Sequence, residues 1–321
     1  MMQKPVCEVR VITHKRPAWL KRALDSLLAQ TCRSWVAYVY DDSPEREGEA
    51  VVRDLRDSRL HYCPNKVNLG AAANLDQGFS GVSRSGARYA CILEDDNWLL
   101  PEFIQENASL LDESDVNLLM RNQWVAEQRD FSANGDLTSR STLEPWYSEG
   151  LLQPFELRAR MLLMQGVSNG GLFWRLNGGN RLQVGPLVKD SGVQEFCRAW
   201  QIDEPMRVVM RPLAVWSRTY VGTQHYTSAM IRSSTRGFQA IRRQLLCEHG
   251  HGLVEQALPL VPEAYLRGTS HRLAMAVPPS FELLRLFGPV YLRDWIFSGL
   301  RACLVENPLE SYLQSMTSAQ R

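Results

Sequence analysis

The chain has 321 residues, of which 45% are hydrophobic and 22% charged, a balance typical of a globular protein with one or two domains. Its 36 basic and 35 acidic residues give a formal net charge of only +1, so no global positive field indicates a nucleic-acid partner. The amino-terminal sequence MMQKPVCEVRVIT has no signal-peptide core, and no window reaches the roughly 18 apolar residues of a membrane span. We therefore expect a cytoplasmic protein, with peripheral contact at the inner membrane face left open.

The cysteines are scattered along the chain without a CxxC pair or a regular spacing. Such a pattern matches neither a disulfide framework nor a zinc site. It predicts reduced and mostly buried thiols. The seven positions are Cys7, Cys32, Cys63, Cys91, Cys197, Cys247 and Cys303.

Strands and helices alternate in the predicted first third of the chain. Strands are expected over 8–13, 35–40, 59–62 and 89–93, and helices from Pro17 onward and over 45–57 and 70–82. Repeated β-α-β units of this length imply a parallel, doubly wound sheet. Ligands of such sheets bind outside the carboxyl ends of the strands.

The pattern changes after about residue 115. Further strands are expected over 116–120, 122–127 and 206–216, a hairpin turn over 133–136, a glycine-rich segment over 166–179 and a helix over 193–200. From about residue 227 the sequence predicts mostly helix, with apolar stripes between arginines near the end. Such a carboxyl-terminal region can pack on the rest of the chain, form a homodimer or lie on a membrane surface; we favour packing or dimerisation.

Polar clusters follow three of the predicted strands directly, where parallel strands would bring them to one edge of the sheet. The clusters are Thr13-His14, Asp41-Asp42 and Glu94-Asp95-Asp96.

The last of these clusters is the most informative. Three adjacent carboxylates repel one another, and a divalent cation such as Mg²⁺ or Mn²⁺, held by carboxylates and substrate phosphates, relieves that repulsion. Taken alone, the cluster is more typical of an acidic turn that caps the helix starting near Pro101. The polar groups after the other strands favour the metal site.

Five segments in the same order resemble family 2 glycosyltransferases. They are VRVITHKRP at 9–17, LDSLLAQT at 24–31, VYDDS at 39–43, NLG at 68–70 with Asn74 and Gly78, and the strand, acidic cluster and proline of 89–101. The acidic motif is similar to that of spore coat polysaccharide glycosyltransferases. The resemblance covers about residues 6–110 and weakens beyond.

The resemblance implies an α/β fold of the GT-A type, which is a Rossmann-like, mostly parallel central sheet flanked by helices, with a helical carboxyl-terminal extension. It divides the chain into a nucleotide-sugar-binding half (1–112), an acceptor-binding half (113–226) and a helical region (227–321). The implied partners are a UDP- or dTDP-sugar donor and a carbohydrate or small-molecule acceptor with a hydroxyl group. The implied cofactor is Mn²⁺ or Mg²⁺, and the expected reaction is an inverting glycosyl transfer.

Site residues follow from the same resemblance. Nucleotide-sugar binding is assigned to Thr13, His14, Arg16, Asp42, Asn68 and Asp95, and metal binding to Asp96, Glu94 and His225. An ordinary surface histidine is an equally good interpretation of His225. Two departures from the family pattern are Glu94 in place of an aspartate, and Ala73 where the family has an arginine.

The catalytic base is expected in the segment 188–198. Asp190, where a helix would begin, is the first candidate and Glu195 the alternative. A purely structural role for Asp190 as a helix N-cap is the competing interpretation.

Two other functions share a similar sheet. A sugar nucleotidyltransferase needs a glycine-rich loop after its first strand, which THKRP at 13–17 does not provide. A degenerate protein that acts as a scaffold would not need to bind a nucleotide with metal. Trp124, Trp146 and Trp174 could form an acceptor surface, although aromatic residues are more often core.

Overall fold

A computed structural model describes residues 4–130, 135–179, 181–220, 228–265, 273–274, 277 and 281–302. Within these ranges, ten strands form one sheet in the order β3-β2-β1-β4-β9-β6-β10-β5, with β7 paired to β6 and β8 to β10. The strands are β1 Cys7–Thr13, β2 Trp35–Asp41, β3 Leu60–Pro64, β4 Tyr89–Glu94, β5 Trp98–Leu99, β6 Leu118–Gln128, β7 Asp136–Ser141, β8 Gly150–Leu152, β9 Leu172–Arg175 and β10 Met206–Thr219.

Helices cover both faces of this sheet and make up the end of the chain. They are α1 Pro17–Leu28, α2 Glu47–Leu55, α3 Ala71–Gln77, α4 Phe103–Asp112, α5 Pro154–Leu162, α6 Ser191–Gln201, α7 Ser228–His249, α8 Gly252–Ala257, α9 Phe281–Phe287 and α10 Pro289–Ala302. None of the helices in the described part of the chain combines the length and apolarity that crossing a membrane requires.

The amino-terminal half of the sheet is parallel, as its β-α-β pattern predicts. β1 lies between β2 and β4, and β3 extends the sheet beyond β2. A second parallel pair, β6 and β10, is joined to this half by the short antiparallel strand β9. The predicted α/β architecture, with a parallel central sheet flanked by helices, is confirmed.

One continuous strand, β6, replaces the two strands predicted over 116–120 and 122–127. Two polar residues lie in the middle of β6, and each has a hydrogen-bond partner. Arg121 Nε donates to Asn107 Oδ1 at 2.6 Å, and Asn122 Nδ2 donates to the Met210 carbonyl at 3.1 Å. Paired in this way, buried polar groups do not interrupt a strand. Of the hairpin turn predicted over 133–136, residues 133 and 134 lie outside the described residues.

Helix α3 is shorter than the predicted 70–82 because a side chain from β1 binds the carbonyl groups that follow the helix. The Arg10 guanidinium accounts for this, since it donates to the carbonyl oxygens of Gly78, Ser80 and Val82. Those carbonyls follow the helix end at Gln77, and an arginine provides enough donors for all three.

The described cysteines and two of the tryptophans agree with the predictions. Six cysteines are free thiols, of which Cys7, Cys32, Cys91 and Cys197 are buried; Cys303 lies outside the described residues. Trp146 and Trp174 belong to the hydrophobic core, which confirms their interpretation as core residues.

The carboxyl-terminal helices pack on the sheet domain through α7 and α8. Helix α7 contacts α6, and α8 contacts α5. Tyr291 of α10 is buried, whereas Trp295 and Ile296 on the same helix are exposed. Packing is thereby confirmed for this region; dimerisation and membrane contact stay predictions.

A buried ion pair on β1 fixes the loop that follows α3. Glu8 and Arg10 are both buried, and Arg10 Nε donates to Glu8 Oε1 at 3.0 Å. Glu8 also accepts hydrogen bonds from Ser83, Arg84 and Ser85. Burial raises the pKa of Glu8, but Arg10 and the Ser85 hydroxyl more than offset that effect, so the pKa lies below its usual value.

We expect Arg10→Met to lower the free energy of unfolding by about 3–5 kcal/mol, because it leaves a buried carboxylate without its partner. Urea denaturation measures the effect. Adding Glu8→Gln to the variant should recover part of the loss. Arg53→Met, which removes an exposed pair with Asp54, serves as control and should change stability by less than about 1 kcal/mol. Equal losses for the two arginines would contradict the expectation.

Candidate active site

The carboxyl ends of β1 and β4 lie side by side and hold a buried carboxylate between them. Ile12 pairs with Glu94 in the parallel register, which puts the residues that follow each strand next to one another. Asp95 is fully buried, and its Oδ2 accepts hydrogen bonds from Thr13 Oγ1 at 2.8 Å and the His14 backbone N–H at 3.3 Å. Two of the polar clusters therefore meet, as the sequence predicts.

Arg16 bridges two of the three adjacent carboxylates. Its Nη2 lies 2.6 Å from Asp95 Oδ1, and its Nη1 donates to Asp96 Oδ2 at 2.9 Å. Thr219 Oγ1 donates to the same Asp96 oxygen at 3.2 Å. Burial raises the pKa of Asp95 to about 6, with Arg16 acting in the opposite direction. This guanidinium is the counterion of the cluster on the side that faces α1.

The third polar cluster organises a loop rather than presenting a free side chain. Asp42 accepts hydrogen bonds from the backbone N–H groups of Leu69 and Gly70 at 2.8 and 2.9 Å. Asn68 Nδ2 donates to the Asp42 carbonyl at 3.2 Å. Gly70 has a φ of +80°, a conformation that favours glycine. Asp42 and Asn68 thus lie together at the end of β2.

The acidic cluster Glu94-Asp95-Asp96 also lies near a carboxylate from the second half of the chain. Burial first, then Asp96 and Glu195, raise the pKa of Glu94 to about 8. Asn97 Nδ2 donates to Glu94 Oε2 at 3.0 Å. The fold therefore brings Glu195, from the second half of the chain, close enough to Glu94 for the two carboxylates to repel each other.

These carboxylates fit a divalent cation by their chemistry. Within the described ranges, no group of three or more histidine, cysteine or acidic side chains is arranged to hold a metal by itself. Glu94 and Asp96 are two hard oxygen donors, and burial together with the charge of Asp96 raises the pKa of Glu94. Such a pair matches a Mg²⁺ or Mn²⁺ ion that takes its remaining ligands from a diphosphate and water. His225, the third predicted ligand, lies outside the described residues.

Asp190 is the N-cap of α6. Its Oδ1 accepts a hydrogen bond from the Val193 backbone N–H at 2.9 Å, and its Oδ2 accepts one from the Ser234 hydroxyl of α7. Both carboxylate oxygens are therefore engaged in holding α6 and α7. The side chain has the capping role that the competing interpretation describes.

Glu195 lies one and a half turns further along α6 and lines a cavity of about 770 Å³. Asn169 Nδ2 donates to its Oε2 at 3.1 Å. Burial raises the pKa of Glu195 to about 7, while the Arg198 charge and the Asn169 backbone oppose the rise. Glu195 is thus the candidate base that combines access to a cavity with a pKa near neutrality.

The cavity has aromatic, cationic and hydroxyl-bearing walls that sequence reasoning did not identify. Trp216 and Tyr265 are partly exposed aromatic residues in its lining. The polar part of its lining is Ser139, Arg140, Ser141, Thr142, Glu144, Gln165, Ser168, Glu195 and Arg218. Trp216 ends the predicted strand 206–216, but only the pairing of β10 with β6 shows which face of that strand it occupies.

Asn169 was also missed, although it stands in the glycine-rich segment. Residues Asn169–Gly171 form a short 3-10 helix before β9. A Cβ atom on Gly171 would lie 2.7 Å from the Arg121 carbonyl oxygen, so only glycine allows this segment to pass so close to β6. The signal in the sequence was the glycine pair that follows Asn169.

A largely parallel α/β sheet with acidic residues at a strand end and a cavity beside it is the arrangement expected of the GT-A fold. A model of glycosyl transferase family 2 matches residues 8–159, from β1 to α5. Over this region the sequence matches glycosyl transferase family 2, as the resemblance implied, and the match supports a glycosyltransferase.

Solved structures extend the likeness over nearly the whole chain. S. aureus TarS 1-349 matches with 14% identity and a TM-score of 0.56, covering 96% of this chain and 91% of that one. The S. aureus TarS structure matches at 14% identity with a TM-score of 0.54, covering 92% of this chain and 54% of that one. TarS 1-349 in complex with UDP matches at 14% identity with a TM-score of 0.53, covering 96% and 91%. At such identity the likeness shows the fold alone, and it confirms GT-A. No curated protein matches the sequence.

We expect Glu195→Gln to stabilise the fold more at about pH 8 than at about pH 5. The folded pKa of about 7 lies above the ordinary 4.5, so the folded protein holds a proton that the unfolded chain has released. Wild-type stability therefore falls as pH rises from about 4.5 to 7, and glutamine does not titrate. The gain in the free energy of unfolding should be larger at pH 8 than at pH 5 by about 1–2 kcal/mol after solvent screening. Urea denaturation at both pH values measures it, and a gain independent of pH would contradict the assignment.

Proposed function

We propose that this protein is a metal-dependent, inverting glycosyltransferase that moves a sugar from a UDP- or dTDP-sugar to a hydroxyl group of an acceptor. The observation that carries the proposal is the approach of Glu195, in the wall of a cavity, to the Glu94–Asp96 cluster at the end of β4. One site thus combines groups for a diphosphate and its cation with a base for the acceptor.

On the donor side, the proposal uses the residues at the ends of β1, β2 and β4. The residues proposed to contact the nucleotide sugar are Thr13, His14, Arg16, Asp42, Asn68 and Asp95. Hydrogen bonds already fix Thr13 and Arg16 to Asp95, so this part of the site is preorganised. Because complexes of TarS 1-349 with UDP and with UDP-GlcNAc share the fold, UDP is the first nucleotide to test and dTDP the second.

Glu94 and Asp96 are the residues proposed to hold Mn²⁺ or Mg²⁺, with His225 as a further candidate. A bound cation stabilises the negative charge that the diphosphate gains as it leaves, which is worth several kcal/mol as an order of magnitude. Arg16 pairs with Asp95 and Asp96, and it supplies a fixed positive charge at the same end of the sheet.

In the transfer step, Glu195 takes the proton of the acceptor hydroxyl. The hydroxyl oxygen forms a bond to C1 of the sugar, and the bond between C1 and the diphosphate oxygen breaks. The electron pair leaves with the nucleoside diphosphate, and the proton stays on Glu195. A base with a pKa near neutrality contributes roughly 10²–10⁴-fold to such a step.

The cavity beside Glu195 is proposed as the acceptor site. Its polar hydroxyl-bearing wall and the partly exposed ring of Trp216 suit a carbohydrate or another hydroxyl-bearing small molecule, since aromatic rings combine apolar contact with a rigid surface. Most of the residues in its wall come from the segment 113–226. This supports the division into a donor half, an acceptor half and a helical region beyond residue 227.

We expect UDP or dTDP to bind only in the presence of Mn²⁺ or Mg²⁺. Calorimetry with each cation and with EDTA measures this. Asp96→Asn should weaken the metal-dependent binding at least about tenfold, because it removes a charged ligand. Asp54→Asn, at an exposed position on α2, is the matched control. Absence of nucleotide binding under every condition would favour the scaffold function instead.

We expect Glu195→Gln to lower kcat by about 10²–10⁴-fold and to leave UDP affinity unchanged, because it removes the base and not the donor site. Asp190→Asn keeps the oxygen that caps α6 and should keep most of the activity, with a stability loss of about 1 kcal/mol or less. Release of UDP from UDP-sugars measures both variants. The reverse order of effects would assign the base to Asp190.

A further inference from the structure

A chain of buried polar side chains leads from Glu195 away from the cavity into the protein. Asn169 Nδ2 donates to Glu195 Oε2 at 3.1 Å, and Asn169 Oδ1 accepts from Arg198 Nη1 at 2.6 Å. Arg198 Nη2 donates to Asp76 Oδ1 at 3.1 Å. Asn169, Arg198 and Asp76 are each buried. The chain therefore connects α6, the segment before β9 and α3.

The chemistry of the arginine decides which way the amide of Asn169 faces. A guanidinium has donors and no acceptor, whereas an amide has one acceptor oxygen and one donor nitrogen. Since Arg198 donates to one end of the amide, that end must be the oxygen. The NH₂ group must then face Glu195, where it donates to a carboxylate. Without Arg198, the amide could turn and present its oxygen to Glu195.

Arg198 is itself fixed from three sides. Its Nε donates to the Leu182 carbonyl at 2.8 Å, and its guanidinium lies 3.5 Å from the centre of the Phe79 ring. The Asp76 carboxylate pairs with its charge and also accepts from the backbone N–H groups of Val184 and Gly185, both at 2.8 Å. A buried charge held by so many partners has one orientation.

We propose that Asn169 and Arg198 are positioning residues for the base: Arg198 orients the Asn169 amide, and that amide holds one oxygen of Glu195 so that the carboxylate faces the cavity. This inference rests on the proposed function, in which Glu195 takes the acceptor proton. Arg198 follows Glu195 by one helical turn, yet the hydrogen bond to Glu195 comes from Asn169 and not from the guanidinium. The carboxylate is thereby fixed by a neutral donor.

The test uses a substitution of equal size that replaces the donor with an acceptor and adds a carboxyl group beside Glu195. Asn169→Asp keeps the volume and an oxygen for Arg198, but it replaces the NH₂ group with a second oxygen. Asn107→Asp is the matched control, because Asn107 is also buried and also accepts from an arginine, Arg121 Nε, at 2.6 Å. Asn107 lies on α4 and does not line the cavity. Both variants are compared with wild type in the full chain.

The measurements are UDP release from UDP-GlcNAc and UDP-glucose with Mn²⁺, and calorimetric binding of UDP. We expect Asn169→Asp to lower kcat by about 10–100-fold, the order expected for a misplaced catalytic group. The donor KM and the UDP affinity should stay within about twofold of wild type, and Asn107→Asp should keep the wild-type kcat. Arg198→Lys, which retains the charge but loses the fork of donors, should reduce kcat without weakening UDP binding.

Two results would overturn the proposal. A kcat of Asn169→Asp equal to that of Asn107→Asp would show that Asn169 only fills space. A loss of UDP affinity as large as the loss of kcat would show general damage to the site. Failure of the proposed function is distinguishable, since wild type would then neither bind UDP nor release it from either sugar nucleotide. A further loss on adding Asn169→Asp to Glu195→Gln would also count against a role through Glu195.

Discussion

Crowding of negative charge at the end of β4 is the constraint on which the rest of the site depends. Asp95 is buried between β1 and β4 and is compensated by Arg16 and by donors at the end of β1. Burial, together with the charges of Asp96 and Glu195, raises the pKa of Glu94. Repulsion between buried carboxylates lowers stability. Such destabilising groups occur mostly where binding or catalysis requires them.

The two halves of the sheet meet in a way that concentrates these groups. The short strand β9 pairs with both β4 and β6, so the parallel amino-terminal half and the β6–β10 half share one continuous sheet. The segment before β9 supplies Asn169 at this junction, and α6 supplies Glu195. Asn169 and Glu195 follow Glu94 in the chain by at least 75 residues, yet the order of the strands in the sheet makes them neighbours.

Side chains with fixed orientation surround the candidate base and the acidic cluster. Arg16 and Arg198 are both held by carboxylates, and each has an aromatic ring beside its guanidinium, Trp19 for the first and Phe79 for the second. Arginine is suited to this use because its planar group stays charged and pairs with carboxylates in a defined geometry. A site built on such anchors needs little rearrangement when a substrate binds.

The sequence alone determined the parallel half of the fold and the polar groups at the ends of its strands, because these depend on local pattern: an apolar strand followed by Thr13, Asp42 or Glu94 puts a polar group at a known edge. It did not decide between Asp190 and Glu195, since both stand on one helix and only packing shows which side chain caps α6 and which faces a cavity. Asn169 required tertiary structure for the same reason, because its partners come from distant segments and hydrogen bonds between them leave no periodic signal.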